Sequence, residues 1–219
     1  MFRNIANFFF PPQPAPVVVQ PPAYVPDSNP RRPEFFKVVF WGKFGVGKSS
    51  IVSLLETGNF NGHNRFTIRP DFPYSKLILE DGKEVKLQLW DTAGQERFNQ
   101  ELRIIHFRQT HIFVIVYSPD DADSFRLAGQ SLETVIDAPT VDPHCQFLLV
   151  CSYRTKPSTN QDPPQASWEI SSAQGNELAV RVGAFYLEVN VADVGALSLL
   201  QNKLRELIHK KKLSEEAAN

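Results

Sequence analysis

The stretch Gly42-Lys43-Phe44-Gly45-Val46-Gly47-Lys48-Ser49 constrains this chain more than any other. It follows an apolar run, FFKVVFW, and leads into IVSLLE, so it reads as a loop between a strand and a helix. The spacing is G-x-x-x-x-G-K-S. Glycines in such a loop let backbone N–H groups converge on phosphate oxygens, and the following helix adds the positive end of its dipole. In this arrangement Lys48 reaches the β- and γ-phosphates, and Ser49 ligates Mg²⁺.

The flanking pattern sets the architecture. EFFKVVFW, SKLILE, VKLQLW, HIFVIVY, CQFLLV and AFYLEV are short apolar runs of strand type. Helical stretches are expected at Lys48–Glu56, Gln95–Arg108, Ala122–Ile136, Ser167–Val182 and Val194–Lys211. In the last, Val194, Leu197, Leu200, Leu204 and Leu207 form one stripe expected to be buried. This alternation predicts an α/β fold, a six-stranded and mostly parallel sheet with helices on both faces. Asp81-Gly82 reads as a hairpin turn that adds one antiparallel strand.

Residues 1–33 hold nine of the seventeen prolines, which block both helix and central strand. They read as a disordered, partly polyproline II arm, with residues 34–212 as the globular domain and 213–219 as a flexible tail. PPQPAP has a PxxP spacing that the aromatic groove of an SH3-type partner can dock. A net charge of -1 gives no bulk attraction to nucleic acid. No apolar run reaches the length of a membrane span, and the start lacks a signal-peptide core. Cys145 and Cys151, in and just after a strand, read as buried thiols of a reducing compartment. The five histidines show no metal-ligand spacing.

A second motif, LQLWDTAGQERF at residues 87–98, narrows the choice among phosphate-loop proteins. Asp91 ends a strand, where it can hold Mg²⁺ through water. Gly94 can offer its N–H to a γ-phosphate, and Gln95 can orient an attacking water. Here the chain resembles the Ras superfamily of small GTPases, the Rab branch most closely, over residues 35–210. Thr67 follows Ser49 by 18 residues, the spacing of the switch I threonine in that family, and Phe60 follows it by 11, where an aromatic packs on the base. The resemblance implies GTP or GDP with Mg²⁺. Gly42, Gly45, Val46, Gly47, Lys48, Ser49 and Ser50 would surround the phosphates, with Phe60, Thr67 and Gly94 completing the site. Ser49, Thr67 and Asp91 would serve the metal, and Gln95 hydrolysis. It also implies effector and regulatory proteins meeting residues 67–72 and 90–98, and a role in signalling or vesicle transport. Phe72, Trp90 and Phe107 would supply the aromatic effector surface.

The chain departs from the family at several places. The guanine-reading segment should follow the fifth strand as NKxD, but CSYRTKPSTNQD stands there. Direct alignment puts Ser152, Tyr153 and Thr155 at Asn, Lys and Asp. A shift of three restores Lys156 but leaves Ser158 in the carboxylate position, with Asp162 four residues beyond. The second base segment, ETSAK in the family, reads Glu188-Val189-Asn190-Val191-Ala192. Losing two hydrogen bonds to a carboxylate costs about 3–5 kcal/mol, so binding should be weakened and less selective rather than lost. Phe44 replaces a small residue beside the γ-phosphate and should slow hydrolysis. Arg69 and Pro70 alter switch I. IHKKKLSEEAAN carries no cysteine for prenylation, and Phe2 excludes N-myristoylation, so the expectation is a cytoplasmic protein that reaches membranes only through a partner. Three readings stand open: a slow molecular switch, a non-cycling interaction module, and another phosphate-loop enzyme such as a nucleotide kinase or ATPase.

Overall fold

The computed structural model describes residues 33–60, 72–92, 107–136, 138–154 and 168–218. Its sheet has six strands in the order β2-β3-β1-β4-β5-β6. They are β1 (Glu34–Trp41), β2 (Tyr74–Ile78), β3 (Glu84–Asp91), β4 (Ile112–Tyr117), β5 (Gln146–Tyr153) and β6 (Phe185–Asn190). β1 is parallel to β3 and β4, β4 to β5 and β5 to β6, while β2 pairs antiparallel with β3. The Asp81-Gly82 turn joins β2 to β3, with Gly82 at φ 79° as a tight turn requires. The expected α/β sheet is therefore the observed one.

Among the described residues there are four helices: α1 (Lys48–Thr57), α2 (Ala122–Ile136), α3 (Ser172–Val182) and α4 (Ala196–Glu216). Side chains alternate along β1. Phe36, Val38 and Phe40 meet α1 and α4 on one face, together with Ile51, Leu55, Leu200 and Leu207. Val39 and Trp41 meet α2 and α3 on the other, with Leu132, Val135 and Leu178. The sheet is covered on both sides, which is why β4 is an unbroken buried apolar run. β2, at the edge, alternates exposed and buried instead.

Four expectations need correction. β5 does not stop at Val150; it runs through Cys151-Ser152-Tyr153, so Cys145 lies just before it and Cys151 within it. Both thiols are buried and free, and burial pushes each pKa up to about 12. α3 starts at Ser172 rather than Ser167. Ser171 caps it: its side chain accepts from the Gln174 N–H while Gln174 Oε1 accepts from the Ser171 N–H. Val194 precedes α4 and is 99% exposed, so the buried stripe begins later, at half-buried Leu197 and buried Leu200. Finally, α4 continues into the supposed flexible tail as far as Glu216. Lys211 holds it there: only 1% exposed, its Nζ donates to Asp142 at 2.8 Å and to Glu215 at 2.7 Å. The helix expected at Gln95–Arg108 falls almost wholly outside the described residues, which resume at Phe107. Among the described residues no helix is long and apolar enough to cross a membrane.

Candidate nucleotide-binding site

The loop between β1 and α1 has the backbone its glycines were expected to allow. Gly42, Gly45 and Gly47 stand at φ 145°, 84° and 97°, a region that side chains disfavour. The loop also presses on two neighbouring strands. A Cβ at Gly42 would strike the Val116 carbonyl oxygen of β4, and one at Gly47 would lie 2.5 Å from the Ser152 Oγ of β5. Val46 is buried in the core beneath. Lys48, 4% exposed, turns back across the loop, its Nζ donating to the carbonyls of Gly42 at 3.1 Å and Lys43 at 3.0 Å. Ser49 and Ser50 follow in the first turn of α1, half-buried. A buried ammonium over a loop of positive-φ glycines, at a helix N-terminus, has the chemistry that suits an anion such as phosphate.

Lys43 has a partner set that sequence reasoning did not find. Its Nζ pairs with Asp121 at 2.9 Å and Asp123 at 3.1 Å, and Asp121 also accepts from the Ser124 N–H in the first turn of α2. The hydrogen bonds to Asp121 and Asp123 raise the Lys43 pKa. The acidic run DDAD at residues 120–123 was the available signal. These carboxylates tie the phosphate loop to α2 and balance the Lys43 charge.

Asp91 ends β3, 5% exposed, in register with Phe40 at the end of β1. Thr92 Oγ1 donates to the Phe40 carbonyl at 2.8 Å and fastens that corner. A hydroxyl from Ser49 and a carboxylate from Asp91 are hard oxygen donors, the kind Mg²⁺ takes alongside phosphate and water. The donor set therefore fits the ion the resemblance implies. Thr67, Gly94 and Gln95 lie outside the described residues. Phe44 stands 46% exposed on the loop.

At the base end, Phe60 is half-buried against the α1–α4 core, and the Arg154 guanidinium lies over its ring, 5.1 Å from the centroid. Placing Ser152 at the end of β5, against Gly47, favours the direct alignment, with Ser152 at the Asn position and Tyr153 at the Lys position. The Tyr153 ring stands edge-on to Trp168 at 4.9 Å, and its carbonyl accepts from the Val191 N–H at 3.0 Å. Glu188 accepts from the Tyr186 hydroxyl at 2.8 Å, and Asn190 Oδ1 from the Ala192 N–H at 3.2 Å. Toward switch I, the Phe72 and Trp90 rings meet edge-to-face at 4.7 Å, with Lys37 Nζ 3.7 Å from the Trp90 ring. Of the three expected surface aromatics only Phe72 is partly exposed; Trp90, 5% exposed, is buried in the core, and so is Phe107. It is buried against Trp41 at 5.5 Å and Phe113 at 5.2 Å, because Trp41 gives it an apolar seat.

A model of the Ras family matches residues 37–208. The chain belongs to the Ras family. Among relatives, Ras-related protein RabC of Dictyostelium discoideum is 32% identical over 159 residues, which is 72% of this chain and 76% of RabC. Ras-related protein SEC4 of Candida albicans is 30% identical over 179 residues, 82% of this chain and 80% of SEC4. The Ras and EF-hand domain-containing protein of Danio rerio is 30% identical over 158 residues, 72% of this chain but only 23% of that longer protein. The chain is thus a divergent, Rab-like Ras-superfamily small GTPase, with its phosphate loop intact and its base-reading segments altered.

Proposed function

We propose that this Ras-family protein binds GTP and GDP with Mg²⁺ and works as a slow molecular switch. The carrying observation is the phosphate loop itself: three glycines at positive φ and a buried Lys48 folded over them at the start of α1. Ser49 and Asp91 would hold the metal, which neutralises phosphate charge when bound. Thr67 and Gly94 would gather around the γ-phosphate, and Gln95 would orient water. Effectors and regulators would then meet residues 67–72 and 90–98, with Phe72 resting on Trp90.

The base end supports weaker discrimination, since the direct alignment puts Thr155 where the family has its carboxylate. Exposed Phe44, on the phosphate loop, favours slow turnover and keeps a second reading in view, a non-cycling pseudo-GTPase interaction module with weak or altered nucleotide binding. The test is direct. Protein purified in Mg²⁺ is denatured and the released nucleotide identified by chromatography, then emptied protein is titrated with fluorescent GTP, GDP and ATP. Guanine nucleotide in the purified protein and saturable GTP binding are expected. No bound nucleotide and no binding on titration would refute the switch.

A further inference from the structure

Two carbonyls, those of Gly42 and Lys43, accept from the Lys48 ammonium above the phosphate loop. They are secured in different ways. Gly42 is wedged against β4, where the Val116 carbonyl oxygen leaves no room for a Cβ. The Lys43 carbonyl sits on the limb of the loop that leaves the sheet. Phe44, next along, is exposed, and a Cβ at Gly45 would meet nothing within 4 Å. On that limb the Lys43 side chain supplies a hold, since its Nζ reaches Asp121 at 2.9 Å and Asp123 at 3.1 Å. The anchor is itself fixed. Asp121 Oδ1 accepts from the Ser124 N–H at 3.0 Å, and the Oγ of fully buried Ser124 accepts from the Ser118 N–H at 3.0 Å. Ser118 directly follows Tyr117, the last residue of β4.

We propose that Lys43 is a positioning residue: its ion pairs with Asp121 and Asp123 pin the peptide whose carbonyl holds Lys48, and so slow the release of bound nucleotide. The proposal rests on the nucleotide reading above and names what sets how long that site keeps its ligand. A single exposed ion pair is worth little, because solvent screens it and two long side chains lose freedom in forming it. Here one ammonium meets two carboxylates carried on short side chains at the start of a helix, and Asp123 also pairs with Arg126. Less freedom is lost, and the charges form a network. The carboxylates have two opposed effects on an anion in the loop. As negative charges they repel it. As an anchor they keep the ammonium that attracts it in place. The repulsion comes from partly solvated groups, whereas Lys48 is 4% exposed and acts where screening is weak. The anchor therefore outweighs the repulsion, and the sign of the carboxylates' effect tells one from the other.

In the experiment, emptied protein is loaded with ribose-labelled fluorescent GDP in Mg²⁺, and release is timed after excess unlabelled GDP is added. It is run on the full chain as wild type, Lys43→Met, Lys43→Arg and the double variant Asp121→Asn with Asp123→Asn. Asparagine keeps an acceptor for the Ser124 N–H, so α2 stays capped. Release is expected to be about three- to tenfold faster from Lys43→Met and from the double variant. Lys43→Arg, which can still meet both carboxylates, should restore most of the wild-type rate. In about 1 M salt, where the screening length falls to about 3 Å, the differences should shrink below about twofold. Unfolding midpoints of the emptied proteins should agree within about 3 °C, which separates the anchor from a general loss of stability. Unchanged or slower release from the double variant overturns the proposal, since repulsion would then be the larger effect. So does unchanged release from Lys43→Met, or a difference that persists in high salt. Should Lys43→Met fail to fold, the double variant and its salt series decide alone. Any of these adverse results in protein that loads with GDP sinks the anchor only. A wild-type protein that takes up no GDP sinks the nucleotide reading and the anchor with it.

Discussion

Phe44 is the residue on which turnover should turn. It stands on the phosphate loop where a small residue is usual in the family, and its ring is half out in solvent. Replacing it with glycine removes bulk from the phosphate loop without changing Lys48. Phe44→Gly is expected to raise the single-turnover GTP hydrolysis rate by about tenfold, equivalent to about 1.4 kcal/mol of barrier. An unchanged rate would mean that the ring stays clear of the reacting atoms. At this scale the site was partly legible. The glycines, Lys48, Ser49 and Asp91 announce themselves because their spacing along the chain is fixed by a local loop and by strand ends. Lys43 with Asp121 and Asp123, and Arg154 over Phe60, did not, because each joins residues far apart in sequence whose meeting depends on how the strands line up.

Among the elements, strands were read better than helix ends. β1 was legible to the residue, since a doubly covered strand is mostly apolar and this one is bounded by Pro33 and Gly42, with Lys37 the one charge between its end residues. The start of α3 was missed although Ser171 and Gln174 spell a capping box, because helical periodicity was followed upstream past the cap. The end of α4 was missed for a different reason. KKKLSEE looks like a solvated tail, and only the fold shows Asp142 waiting for Lys211. There burial lowers the Lys211 pKa, but the hydrogen bonds and charges of Asp142 and Glu215 outweigh it and raise it overall. Lys211→Ala is expected to destabilise the protein by about 1–3 kcal/mol, since both carboxylates lose a partner but can still reach water. Chemical denaturation measures it. Circular dichroism should show fraying after residue 210 rather than loss of the sheet.

Across the whole molecule, acid should be the weak side. His111 joins β1 to the start of β4, its Nδ1 accepting from the Lys37 N–H at 2.8 Å. Burial first, then the nearby charge of Lys211, lowers its pKa from 6.5 to about 4; Asp142 and Glu215 pull the other way, and Lys37 adds to the lowering. Between those two values the unfolded chain binds the proton more readily. Stability is therefore full above pH 6.5 and lost as pH falls toward 4, by about 3 kcal/mol. Asp142, whose pKa is lowered chiefly by Lys211 against the opposing effect of burial, gives way further down the same slope. Urea midpoints measured from pH 7 to 4 should fall steadily, and His111→Gln, which keeps an acceptor without titrating, should flatten the curve between 6.5 and 4. The same end of the sheet has a mechanical meaning. Lys212 on α4 pairs with Glu34 at 2.7 Å, so the last helix is fastened to the point where residues 1–33 lead into β1. Eight strand residues, about 25 Å, separate that point from the phosphate loop. A pull on β1 at Glu34 would pass first into α4 through that ion pair and reach the phosphate loop only along the whole length of the strand, so the two act as a strain relief for the loop.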